Sequence, residues 1–153
     1  MRLRETRSLP VPLDEAWGAL NDLALLQWAI PGCESLVQTG ADTFDAAMAL
    51  PVGLLTTRFT TRLRRADVDA PHGCTMHFEA SMLAASGVGQ AHMRLVADGD
   101  EATTLDVDIE VRIDGPVAQL GASFIDLAAQ RLADEFFDRF VAGLGERHAD
   151  LVT

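Results

Sequence analysis

The sequence predicts an α+β domain in which a curved antiparallel sheet wraps around a long C-terminal helix, and three observations carry that prediction. Stretches between residues 44 and 113 repeatedly alternate apolar and polar side chains with the period of a strand. Short turn signals rather than helix-sized spacers separate them, as in a meander with one solvated face. After Asp114-Gly115-Pro116, no breaker as strong as proline appears through Arg147.

Taken in order, an N-terminal strand precedes two short helices, from about Leu13 to Leu20 and from Asp22 to Ile30, the second stopped by Pro31-Gly32. The strands then read as Phe44, Ala46, Met48, Leu50; Phe59, Thr61, Leu63; Cys74, Met76, Phe78, Ala80, Met82; and Ala91, Met93, Leu95. The clearest is Leu105, Val107, Ile109, Val111, Ile113, interleaved with Asp106, Asp108, Glu110 and Arg112. Asp45, the arginines, His77, Glu79, His92 and Arg94 fall on the opposite faces. Turn chemistry marks residues 39–42, 51–53, 69–73, 86–89 and 98–100, so Gly87-Val88-Gly89 reads as a hairpin or bulge. The closing helix, begun at Pro116, would run about 30 residues and about 45 Å.

That helix has two characters. Ala118, Gly121, Ala122, Ser123, Ala128 and Ala129 make its first half small, whereas Leu132, Phe136, Phe140 and Leu144 repeat every fourth residue in its second. The bulky half predicts a clamp on the core. The small half either roofs an unfilled space or lets helix and sheet approach closely, and both readings stay open. One strand, two short helices, six more strands and a long helix describe a helix-grip fold with a seven-stranded curved sheet. Residues 1–148 read as one such domain and 149–153 as a short tail.

Composition narrows function. The chain has 153 residues, and 48% of them are hydrophobic, enough for a single core. Its formal net charge is −11, with 23 acids against 12 bases, all arginine, which argues against nucleic acid and anionic membranes as partners. No apolar run approaches the roughly 20 residues of a transmembrane helix. Charged first residues and two well-separated cysteines, Cys33 and Cys74, predict a cytoplasmic protein. Neither HxxxH nor CxxC spacing occurs, so neither a metal nor a cofactor is expected.

Strand parity puts Met48, Met76, Met82 and Met93 inside with Phe44, Phe59, Phe78, Val107 and Ile109. Thioethers adapt to irregular shapes and suit an apolar ligand. The same pattern also describes a packed core. Leu120, Gly121, Phe124, Leu127 and Ala128 of the closing helix would complete the lining, and Trp28 would flank the entrance or anchor its own helix. No histidine is expected inside, which disfavours acid–base catalysis. Cys33 reads as a small buried hydrophobe, with Glu34 raising its pKa. Arg58 and Arg62, with Arg64 and Arg65, read as a wet strand face or as a docking row for an acidic partner.

Leu9-Pro10-Val11-Pro12, residues 15–22 (Glu-Ala-Trp-Gly-Ala-Leu-Asn-Asp) and residues 30–36 (Ile-Pro-Gly-Cys-Glu-Ser-Leu) resemble the opening of the carbon monoxide dehydrogenase CoxG family. Gln119-Leu120-Gly121, Ile125-Asp126 and residues 132–137 (Leu-Ala-Asp-Glu-Phe-Phe) resemble its closing helix. The family sits in the START and polyketide-cyclase superfamily. The resemblance implies a pocket for a hydrophobic small molecule, quinone- or lipid-like, and an accessory role in maturing or recruiting a molybdenum hydroxylase. It shifts the balance from packed core to pocket. Many members continue into a proline-rich linker and an apolar tail, whereas this sequence ends at Thr153; membrane tethering is not expected of it. The alternatives are a cyclase- or lyase-like enzyme using Asn21, Asp22, Thr61 and, if its strand end turns inward, Arg65, or a ligand-free protein-contact chaperone.

Overall fold

Period-two alternation becomes a single sheet. The structure, a computed structural model, describes residues 1–52, 54–82 and 85–152, and for Val52, Leu55 and Met82 the backbone alone. Strand β1 (Arg2–Leu9) leads through helices α1 (Leu13–Leu20) and α2 (Leu23–Ala29) to β2 (Cys33–Gln38), β3 (Thr43–Val52) and β4 (Leu55–Asp69). There follow β5 (Gly73–Met82), β6 (Ala85–Asp98), β7 (Ala102–Asp114), a 3₁₀ turn (Pro116–Leu120) and α3 (Ala122–Val152). The seven strands are ordered β1-β7-β6-β5-β4-β3-β2, and every pairing is antiparallel. Chain neighbours therefore lie side by side, except that β1 joins the last strand.

Register defines two faces. Leu3 stands opposite Ile109, Ile109 opposite Ala91, Ala91 opposite Met76 and Met76 opposite Arg65. The inner face is the one sharing parity with Leu9, Leu95, Leu105 and Val107, which pack against Ala16 and Ala19 of α1, Ala29 of α2 and Phe137, Phe140 and Leu144 of α3. This core occupies one end of the sheet. Its buried hydroxyl, Thr103 Oγ1, donates to the Val11 carbonyl at 2.9 Å; an orphaned group there would cost about 1–3 kcal/mol. Asp22 caps α2 by accepting from the Leu25 N–H at 3.2 Å. The second half of α3 is pinned from outside the core as well. Arg147 Nε donates to Asp22 at 3.3 Å and His148 Nδ1 lies 2.6 Å from Glu15 Oε2.

Several boundaries differ from expectation. The closing helix does not start at Pro116: proline begins a 3₁₀ turn, and Gly121 at φ +97° breaks the chain direction before α3. At the other end α3 continues through Val152, so 149–152 are helical, because nothing in Ala149-Asp150-Leu151 stops a helix. The hairpin expected at Gly87-Val88-Gly89 is instead regular strand, with Gly87 between Ala80 and Ile113 and Gly89 between Phe78 and Val111. Glycine there serves close packing: a Cβ on Gly89 would stand 2.9 Å from Phe78 Cζ and collide with the Glu110 carbonyl. Strand β2 showed no clean alternation because a register shift between Cys33 and Ser35 breaks the period.

Candidate functional site

Beyond the core the inner face continues without a cover. Helix α3 packs on β1, α1, α2 and the 3₁₀ turn and makes no substantial contact with β3, β4 or β5. Met48, Phe59, Met76, Phe78, Met93 and Ile109 are consequently half-buried, while Phe44 and Val107 are buried. The side chain of Met82 lies outside the described residues. Small residues, Thr61, Ala80, Gly87 and Gly89, lower the floor between Phe78 and the strand ends. The result is an open apolar trough rather than an enclosed cavity.

Helix phase decides which side chains of α3 overlook it. At about 100° per residue, Ala129 lies about 20° and Ile125 about 60° from the direction of Phe140, which faces the core. Both are half-buried. Phe124 and Leu127 lie about 160° and 140° away, and their exposures of 57% and 56% agree with an outward position. Leu120, Gly121 and Ala128 are also exposed. Trp28 sits at the closed end, its ring edge 3.2 Å from where a Cβ on Gly143 would be. The strand residues predicted to line a site are thus brought to one face, whereas Leu120, Phe124, Leu127 and Trp28 are not gathered with them.

The inner face is not free of charge, which corrects the expectation drawn from β3 to β7. Parity with Leu3 and Leu9 turns Glu5 and Arg7 of β1 inward, a signal the sequence already held. The Glu5 side chain is 11% exposed and accepts from Arg7 Nη1 at 2.5 Å and from Gln130 Nε2. Arg7 also donates to Asp134 at 3.0 Å and lies 4.9 Å over the Phe137 ring. At the far side of the sheet Arg65 turns inward too. Its guanidinium stands 5.5 Å over the buried Phe44 ring and donates to Asn21 Oδ1 at 2.6 Å, Asp42 Oδ1 at 3.2 Å and the Ala41 carbonyl at 3.3 Å.

Other chemistry lies elsewhere. His77 and His92 are on the outer face, where Thr75 Oγ1 and His92 Nδ1 are 2.8 Å apart. Hollows of about 530 Å³ and 570 Å³ follow that polar side, the first beside His72, Thr75, His92 and Arg94, the second beside Asp45, Arg62, Arg64 and His77. Arg58 Nε donates to Glu34 at 3.0 Å, and Arg62 stands opposite Asp45 and Glu79. The Arg2 hydrogen bond holds Asp108 below the usual carboxylate range. Burial raises the thiol pKa of both Cys33 and Cys74; for Cys33 that replaces the influence assigned to Glu34. Among the described residues no three potential ligands converge as a metal site would need, and no helix is long and apolar enough to cross a membrane.

A family model described as carbon monoxide dehydrogenase CoxG matches residues 7–145. Among solved structures, a conserved protein from Geobacillus kaustophilus is similar with a TM-score of 0.90 at 20% identity, over 95% of this chain and 96% of that one. The ZhuI aromatase/cyclase from a Streptomyces species is similar with a TM-score of 0.69 at 14% identity, over 96% and 94%. A Mycobacterium smegmatis protein gives 0.70 at 16% identity, over 96% and 92%. No curated protein sequence matches the chain. At these identities the structural likeness shows a shared helix-grip fold, while the family model spans almost the whole sequence: the chain belongs to the carbon monoxide dehydrogenase CoxG family.

Proposed function

We propose that this protein is a non-catalytic carrier of a hydrophobic small molecule, quinone- or lipid-like, held in the trough between the sheet and α3. One observation carries the reading: sulfur and aromatic side chains, Met48, Phe59, Met76, Phe78 and Met93, lie half-covered on a concave face that no helix seals. Covering such surface contributes roughly 25 cal/mol per Å² before the costs of association. Ile125 and Ala129 form the roof in this reading. Phe124, Leu127 and Ala128 join it only if the ligand reaches around the helix. Family membership supports service to a carbon monoxide dehydrogenase-type molybdenum hydroxylase, with Arg58 and Arg62 as its docking row.

Native mass spectrometry of freshly purified protein should retain a lipophilic molecule, and Nile red should bind wild type with enhanced fluorescence. Ala129→Phe should exclude the dye without unfolding the domain. It is a cleaner probe than Gly121→Leu, because the positive φ of Gly121 strains any side chain. A wild-type protein that takes up no lipophilic probe overturns the carrier. Reversing Arg58 and Arg62 to glutamate should abolish binding to the hydroxylase, and undiminished binding removes the docking row.

A cyclase-type enzyme is the second reading, favoured by the inward Arg65 and its bond to Asn21. Asp22 fits it less well, being engaged by Arg147 and the start of α2. Turnover of an aromatic precursor, lost in Arg65→Ala, would establish it. A ligand-free chaperone would instead show no shift in thermal melting with any lipophilic compound.

A further inference from the structure

Arg65 is an unusual occupant of a greasy floor. Its side chain is 22% exposed, and it ends the inner row of Leu3, Ile109, Ala91 and Met76. From β4 to β1 that row crosses four strand spacings, roughly 19 Å. Its charge is felt on the same face at Cys74, whose thiol it pulls down against the larger effect of burial. We propose that Arg65 anchors an anionic head group, so that the ligand of the trough is an amphiphile with a terminal carboxylate and its hydrocarbon tail along Met76, Ala91 and Ile109.

Donor geometry supports a carboxylate. Of the five guanidinium N–H groups, those engaged among the described residues reach Asn21, Asp42 and the Ala41 carbonyl, one each from Nη1, Nε and Nη2. One N–H on each terminal nitrogen is left, the pair that an end-on carboxylate accepts from together. The partner carboxylate of Asp42 is 53% exposed, so water screens it more than it screens the guanidinium. The opposite edge of the face repels an anion, because Glu5 and Asp134 outnumber Arg7 there. Orientation follows from that asymmetry: head at β4, tail toward β1.

The anchor rests on the carrier reading and is tested by displacing Nile red with dodecanoate or with dodecanol at pH 8. Wild type should bind dodecanoate about tenfold more tightly than dodecanol, the scale of a hydrogen bond to a charged group. Arg65→Gln should close that gap while leaving dodecanol affinity unchanged, and Arg65→Lys should restore part of it. Equal affinities in wild type, or an acid preference that survives in Arg65→Gln, overturn the anchor while leaving the carrier standing. If Arg65→Gln loosens the 39–42 turn enough to unfold, the wild-type comparison decides alone. Failure of Nile red and both compounds to bind removes the carrier and the anchor together.

Discussion

The two halves of α3 share one helix and opposite circumstances. From Phe136 onward the side chains are locked: Phe136 meets Phe137 edge-on at 5.1 Å and stacks on Phe140 at 5.6 Å, and Phe140 and Leu144 are fully buried. Before Ala133 the helix has the sheet's edge strand beneath it and little else, and its largest apolar residues point to solvent. A long helix can therefore hold its domain together with one half and leave the other half for a different task.

Stability measurements test that division most strongly. Phe140→Ala should lower the unfolding free energy by about 3–5 kcal/mol in urea titrations, whereas Phe124→Ala should stay within about 0.5 kcal/mol of wild type. Similar losses at both positions would erase the contrast. Within the locked half, two glycines should respond with opposite signs. A methyl on Gly143 collides with Leu25 where α2 crosses α3, so Gly143→Ala should cost about 1–3 kcal/mol. Gly145 has open space around it, and Gly145→Ala should add about 0.5–1 kcal/mol through helix propensity.

In the open half the helix phase itself is at stake. Ile125→Asp should weaken Nile red binding about tenfold, the order expected for losing one buried aliphatic side chain and adding a charge, while Leu127→Asp should change it little. The reverse result would place the ligand on the outward stripe. The smallest effect concerns the thiols. Burial raises both pKa values, so fewer thiolates form at neutral pH and iodoacetamide should label Cys33 and Cys74 more slowly than free cysteine. The rates should rise only as pH passes above the ordinary thiol range. Labelling as fast as free cysteine at pH 7 would contradict that burial.

Sequence pattern carried the fold further than the site. The alternation of Leu105 to Ile113 and of Cys74 to Met82 specified faces correctly because each side chain's direction follows from position alone. Parity also foretold which methionines share a surface. It could not foretell how much of that surface is covered, since coverage depends on where a rigid helix crosses, and that is decided by Leu25 and Trp28 meeting Gly143. Leu120, Phe124 and Leu127 were assigned by composition of the helix half, not by its phase, and phase separates them from the core line. Glu5 and Arg7 were legible in the same alternation as Leu3 and Leu9, but charged residues at the start of a chain read easily as solvent-facing until the strand is seen to lie under α3.

The pairing of β1 with β7 also orders events during synthesis. Arg2 to Leu9 leave the ribosome first, yet their partners, Thr103 to Glu110, are translated about a hundred residues later, a separation that makes closure slow. Meanwhile β2 to β6 can zip locally, hairpin by hairpin. A waiting, half-apolar strand invites intermolecular pairing, and charges at Arg2, Arg4, Glu5 and Arg7 keep it dispersed until the last rung is available. The inward ion pair of β1 thus has a use before the domain exists, as a solubility tag on a segment that must linger.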